Sequence, residues 1–232
     1  LSESIIGRAQ EKGLVQIYYQ NIRDYSKDKH KRTDDTPYGG GYGMVMTPQP
    51  IIDCYNSIIG DGKDTLTVYM SPAGKVFNQK KAISISKKYK RVIILCGHYE
   101  GVDQRAIDAI IDEEISVGDY VLTGGEIPAA ILADAVSRLV PGVLPDKVCH
   151  EDESIESGLL EYPQYTKPRV YDGMEVPQIL IGGHHANIEK WRREKSIEKT
   201  FLRRKDLLRK CNFSKSELEF IENLRKNAKE GE

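Results

Sequence analysis

The sequence predicts an α/β protein built on a mainly parallel sheet and followed by a small helical C-terminal domain. Three observations carry this reading. Short apolar runs alternate with stretches of helical period over residues 1–144, the pattern of strands joined by crossover helices. Glycine-bearing loops end three of the strands, at Gly74, at Gly97 with Gly101, and at Gly118 with Gly124 and Gly125. Beyond residue 157 apolar residues recur at helical spacing.

Taken in order, segment 4–12 reads as a helix ended by Gly13, and segment 14–19 as a short strand. A polar, basic loop then runs into Pro37-Tyr38-Gly39-Gly40-Gly41-Tyr42-Gly43. An amphipathic helix follows over 50–59, and strand 66–69 enters Ser71-Pro72-Ala73-Gly74. After a further helix, the buried strand 91–95 enters Gly97-His98-Tyr99-Glu100-Gly101, and a helix covers 104–111. The run 120–123 lies between Gly118 and Gly124-Gly125. Pro128 opens a helix reaching about residue 140, because the missing N–H of proline is harmless in a first turn. Segment 145–157, with Asp146, Glu151, Asp152, Glu153 and Glu156 and little to bury, has the composition of a linker. In segment 158–232, Ile188, Trp191, Ile197 and Phe201 supply apolar contacts, and Ser214 with Glu217 forms a capping box ahead of Leu218, Ile221 and Leu224.

With 39% hydrophobic residues in 232, the chain can fill a core. No run approaches the roughly 18 apolar residues of a membrane span, and no leader precedes the first periodic segment, so the expected address is cytoplasmic. Cys54, Cys96, Cys149 and Cys211 form no Cys-x-x-Cys pair, which points to reduced thiols and neither zinc nor disulfides. A formal net charge of −1 hides polarity: from Lys190 to Lys210 ten Lys or Arg face three acids. Lys27, Lys29, Lys31 and Arg32 form a second basic cluster, and nine acids between Gly97 and Asp134 face Arg105 alone. Such a basic stripe attracts phosphates whatever the total.

Ligands of parallel sheets sit beyond the carboxyl ends of strands, where glycines let backbone N–H and C=O groups reach a flat molecule. Three such loops, none with the Lys-Ser/Thr of a phosphate-gripping loop, favour a nucleoside held by backbone contacts. Gly39, Gly41 and Gly43 satisfy a Gly-x-Gly-x-Gly pattern, but no buried strand precedes it and no helix follows directly. That segment reads as a flexible loop flanking a site.

Several motifs lie in order along nearly the whole chain. They are Asp34-Asp35-Thr36-Pro37-Tyr38-Gly39-Gly40-Gly41, Cys96-Gly97-His98-Tyr99-Glu100-Gly101-Val102-Asp103, Asp112-Glu113-Glu114-Ile115-Ser116-Val117-Gly118-Asp119-Tyr120-Val121-Leu122, Gly124-Gly125-Glu126, Ser137-Arg138, Pro141-Gly142-Val143-Leu144, and the run from Gly158-Leu159-Leu160 through Glu161-Tyr162-Pro163-Gln164-Tyr165 to Thr166-Lys167-Pro168. Through them the chain closely resembles the bacterial tRNA (guanine-N1)-methyltransferases. Members of that family belong to the knotted SPOUT class, so the resemblance implies a deep trefoil knot formed by the three glycine loops. It implies a knotted catalytic domain over 1–144 that binds S-adenosylmethionine, a flexible acidic linker over 145–157 and a helical tRNA-binding domain over 158–232. Family members also carry a strand and turn ahead of the position of Leu1. The cofactor would be held by Ser71, Pro72, Gly74, Gly97, Glu100, Val117, Gly118, Asp119, Tyr120, Val121, Leu122 and Pro128, with Gly124 and Gly125 giving it room. The resemblance further implies a homodimer with active sites between subunits, and a requirement for Mg²⁺.

The reaction in that family moves a methyl group to N1 of the guanine just 3′ of the anticodon. N1 carries a proton at neutral pH, so attack on the sulfonium methyl needs a base, and charge then develops on O6. By motif position the base matches Glu153 and the stabilising cation Arg138. The common family form has Asp-Ser where this chain has Glu153-Ser154, one methylene longer, and Asp152 is the alternative base. Lys190, Arg192, Arg193, Arg203 and Arg204 would position tRNA through its phosphates. Two other functions compete: a knotted methyltransferase acting on another base or on ribose, and an RNA-binding protein without catalysis.

Overall fold

The computed structural model describes residues 1–144, 158–209 and 211–230. It divides into two compact units, Leu1–Pro145 and Asp146–Glu232.

The first unit is built on a three-stranded parallel sheet of β3 (Thr65–Val76), β4 (Arg91–Leu95) and β5 (Glu113–Ser116), in the order β4-β3-β5. Alternation along β3 sends its residues to two cores. Leu66, Val68 and Met70 meet Ile85 of α3 (Gln79–Lys88), Ile115 of β5 and Leu132 of α5 (Glu126–Ser137). Tyr69 points the other way, to Met46, Leu95, Ile51 of α2 (Pro48–Ile58) and Ala106 of α4 (Gln104–Ile110). Helices on both faces explain why the strands read as nearly unbroken apolar runs. Side chains start two of the helices: Asn78 Oδ1 accepts from Lys81 N at 3.0 Å, and Asp103 Oδ1 from Arg105 N at 3.0 Å. Each satisfies an N–H that a first turn leaves open.

Segment 14–19 is not a strand. Leu14 N and Val15 N both donate to Ala9 O, closing helix α1 (Ser4–Glu11), and among the described residues no strand lies beside the extended chain that follows. Strand-like composition cannot form a ladder without a neighbour. The basic loop instead holds a short antiparallel pair, β1 (Asp34–Asp35) with β2 (Val45–Met46). Residues 120–123 are loop, and α5 begins at Glu126, so Pro128 sits inside its first turn.

In the second unit, α6 (His185–Arg203) is followed by α7 (Lys205–Leu208) and α8 (Lys215–Glu230), with a small β6 (Val170–Tyr171) and β7 (Met174–Glu175) hairpin ahead of them. Leu159, Ile197, Phe201 and Ile221 form its core. Thr200 is fully buried and satisfied twice, donating to Ser196 O at 2.6 Å and accepting from Leu160 N at 2.8 Å. Both bonds of the capping box are present: Ser214 N donates to Glu217 Oε2 at 2.6 Å and Glu217 N to Ser214 Oγ at 3.3 Å. Among the described residues no helix is long and apolar enough to cross a membrane.

Candidate active site

The carboxyl end of β3 does not simply turn away. Met70 pairs with Ile115, residues 71–74 loop out, and Lys75 pairs with Ile115 again before Val76 meets Ser116. Gly74 makes this return possible, since a β-carbon there would lie 2.4 Å from the carbonyl carbon of Glu114. Backbone approaches of that kind admit only glycine. Ser71 and Pro72, on the outward excursion, line a cleft of about 260 Å³ together with the loops after β4 and β5.

The loop after β5 folds onto itself: Gly118 N donates to Ser116 Oγ at 3.1 Å and the Tyr120 hydroxyl to Val117 O at 3.1 Å. Gly118 has φ +144°, a conformation other residues avoid. The chain then comes against the β4 loop, where Gly125 N donates to Gly97 O at 2.8 Å. A β-carbon at 125 would stand 2.7 Å from Cys96 Cα, and one at 124 would strike the side chains of Glu126 and His98. Sequence reasoning assigned these glycines to ligand space. The protein's own atoms crowd them as well, and at Gly125 the backbone of Cys96 and Gly97 leaves no space for a side chain.

Of the residues expected at the cofactor, Ser71, Pro72, Gly97, Glu100, Val117, Gly118, Tyr120, Val121, Leu122, Gly124, Gly125 and Pro128 line this one cleft. Asp119 and Gly74 do not. Gly101, which the sequence placed in the same glycine loop as Gly97, lines it too; Tyr69, His98, Tyr99 and Thr123 line it as well and were missed, although His98 and Tyr99 belong to that same motif. His98 Nδ1 lies 3.2 Å from Glu126 Oε1, a contact across 28 positions that no local pattern announces. Burial, reinforced by the Glu126 charge, pushes the Cys96 thiol up to about 11, and burial with Glu114 raises the Tyr69 phenol. Both are neutral near pH 7, so neither competes as a base there.

The glycine segment 39–43 flanks the cleft. Its outgoing arm is stitched to the β4 loop by Glu100 N to Met44 O at 3.0 Å, Met46 N to Gly101 O at 2.9 Å and Asp103 N to Met46 O at 3.0 Å. Tyr38 and Tyr42 stand fully exposed on it.

Arg138 is not brought to the cleft within one chain. It caps the far end of α5, ten residues beyond Pro128, which is about 15 Å along the helix axis. There it lines a separate surface cleft with Leu1, Glu3 and Asp134. Glu153 and its alternative Asp152 lie outside the described residues, as does the linker 145–157. No group of three His, Cys, Asp or Glu among the described residues could hold a metal.

The basic stripe of the second unit is largely engaged internally. Arg192 pairs with Glu189 at 2.8 Å and stacks over Tyr162, and Arg193 pairs with Glu217 at 2.7 Å. Arg204 pairs with Asp206 at 2.8 Å, and Lys190 sits 3.9 Å from Glu194. Among the described residues Arg203 makes no ion pair.

A parallel sheet covered on both faces, with glycine loops closing around a cleft at its strand ends, defines an α/β protein suited to a nucleoside-like ligand. The comparisons narrow this class. The family described as tRNA (Guanine-1)-methyltransferase TrmD matches residues 1–210, and the chain belongs to that family. Among its relatives, the tRNA (guanine-N(1)-)-methyltransferase of Ruminiclostridium cellulolyticum is 58% identical over 90% of this chain and 90% of its own. That of Alkaliphilus metalliredigens is 51% identical over 96% of this chain and 91% of its own, and that of Clostridioides difficile 53% over 91% and 92%.

Proposed function

We propose that the chain transfers a methyl group from S-adenosylmethionine to N1 of the guanosine immediately 3′ of the anticodon in tRNA. The observation that carries this is the convergence of three glycine loops on one cleft at the strand ends of a family member. The cleft suits the methyl donor: loop backbone at 117–122 and around Gly97 offers N–H and C=O groups to an adenosine, and Glu100 is a carboxylate beside a cationic ligand. Bound there, the donor supplies a methyl group on a positively charged sulfur.

The remaining work falls to side chains. Glu153 takes the N1 proton, with Asp152 as the alternative, and Arg138 stabilises the charge that develops on O6. Because Arg138 lies some 15 Å along α5 from Pro128, it serves the cleft of a second subunit. Ile127 and Ile131, exposed on the same helical stripe as Arg138, suit a homodimer interface there. The resemblance also carries the trefoil knot, the division into a catalytic domain (1–144), linker (145–157) and tRNA-binding domain (158–232), and a cytoplasmic setting. Lys190, Arg192, Arg193, Arg203 and Arg204 hold tRNA phosphates, the paired ones by exchanging carboxylate partners, since exposed ion pairs are worth only about 0–1 kcal/mol. For Mg²⁺ the described residues offer no group of three His, Cys, Asp or Glu, and a chelator titration tests the dependence.

Unmodified tRNA incubated with labelled S-adenosylmethionine tests the reading directly. Label confined to N1 of that guanine is expected, and label on N7, N2 or ribose would overturn it.

A further inference from the structure

Segment 75–91 carries seven Lys or Arg and no acid. The structure sorts these cations. Lys81 pairs with Glu113 and Lys90 with Asp64, Lys88 lies over the ring of Tyr89, and Arg91 donates to the carbonyls of Ile58 and Ile59. Lys75, Lys80 and Lys87 remain exposed and, among the described residues, without an ion pair or side-chain hydrogen bond. Lys80, Ser84, Lys87 and Lys88 share the outer face of α3, opposite the buried Ala82 and Ile85. Lys75 follows the excursion at 71–74, whose Ser71 and Pro72 line the cleft. Lys80 and Lys87 are about 10 Å apart along the axis.

An ordinary solvated helix face interleaves opposite charges, as α6 does with Glu189, Glu194 and Glu198 among its cations. On α3 itself no acid lies among the cations. Lys80 moreover sits in the first turn, where the helix dipole disfavours a cation. An external anion with repeated charges would relieve both.

We propose that Lys75 at the end of β3, with Lys80 and Lys87 on the outer face of α3, makes a phosphate-binding surface for the substrate RNA, formed by residues other than the basic ones of the C-terminal helices. This rests on the reading of the chain as a tRNA methyltransferase. The lysines bind the sugar-phosphate backbone without reading bases, so they set affinity and salt dependence and leave the methylated atom unchanged.

Unmodified tRNA is titrated with wild type, with Lys75→Gln/Lys80→Gln/Lys87→Gln, with Lys80→Gln/Lys87→Gln, and with Lys90→Gln, over a range of salt concentrations. Circular dichroism and S-adenosylmethionine binding check that each variant is folded, and the double variant serves if the triple one is not. The triple variant should bind roughly tenfold or more weakly at low salt, with the slope of log K against log[salt] reduced by about 2–3, each lost contact removing about 0.7–0.9. Its KM for tRNA should rise while kcat at saturating tRNA holds. Lys90→Gln, which removes a paired cation, should match wild type. A wild-type slope in the folded triple and double variants would overturn the proposal, as would an equal loss per charge in Lys90→Gln, which would mark a diffuse field. Binding requires no turnover, so a wild type that binds tRNA but leaves guanine N1 unmethylated refutes the reaction without touching the result for this surface.

Discussion

At Gly125 an added β-carbon would lie 2.7 Å from Cys96 Cα and 2.8 Å from Gly97 N, and at Gly74 it would lie 2.4 Å from the Glu114 carbonyl carbon. Both obstacles are backbone, which cannot swing aside as a side chain tip can. Gly74→Ala and Gly125→Ala should therefore destabilise the catalytic unit by about 1–3 kcal/mol, the usual range for overpacking. Thermal or urea unfolding measures this, and an unchanged midpoint would show that the loops part easily. A second expectation concerns Cys96. With its thiol held up near 11 by burial and by Glu126, it carries almost no thiolate at pH 7.5. Iodoacetamide should label it far more slowly in the native protein than after unfolding, because only the thiolate attacks. Rapid native labelling, read by mass spectrometry, would contradict the burial seen here.

Helices α6 and α8 are joined by Arg193 and Glu217, and their pairing gives a pH signature. Burial pushes the Glu217 carboxyl up, but the Arg193 hydrogen bond and those from Ser214 outweigh it, so the net shift is downward from 4.5. A lowered native value means stabilisation that is complete above about 4.5 and fades as pH falls through the lowered value. Glu217→Gln keeps a capping-box side chain and loses the charge. It should cost no more than about 1 kcal/mol at pH 7, given the pair's partial exposure, and nothing once wild type is protonated. Melting of both proteins from pH 7 to 3 checks this, and a constant gap would refute it. That capping box was legible from residues 214–217 alone because its bonds are local. Strands 66–69 and 91–95 were legible too, as apolar runs buried on both faces. Strand β5 was harder to read, since Glu113-Glu114-Ile115-Ser116 looks polar until Lys81 pairs with Glu113 and Asp112 accepts from Thr67 N at 2.7 Å. The excursion at 71–74 depends on the β3–β5 register, and the His98–Glu126 contact on the approach of two loops distant in sequence, so neither is written in any short window.

For the whole molecule, the cleft and the groups proposed to act in it do not coincide within the described part of one chain. Arg138 is remote along α5, and Glu153 lies outside the described residues. A symmetric dimer in which each chain's base serves the other's cofactor would reconcile them, and subunit mixing can test it. Glu153→Ala should bind both substrates and lose turnover by about 10²–10⁴, the usual contribution of a general base. Leu122→Trp, a bulky change on a loop that lines the cleft, away from the close backbone contact at Gly125, should lose turnover by excluding the methyl donor. Neither homodimer works. In their heterodimer, one site combines the blocked cleft with the missing carboxylate, and the other combines an intact cleft with an intact Glu153. Equal mixing makes half the dimers mixed, each with one working site, so activity should return to about a quarter of wild type. If heterodimers demonstrably form and nothing returns, each site is built within one chain. If Glu153→Ala alone keeps full turnover, the proton goes elsewhere, and Asp152→Ala should then abolish it.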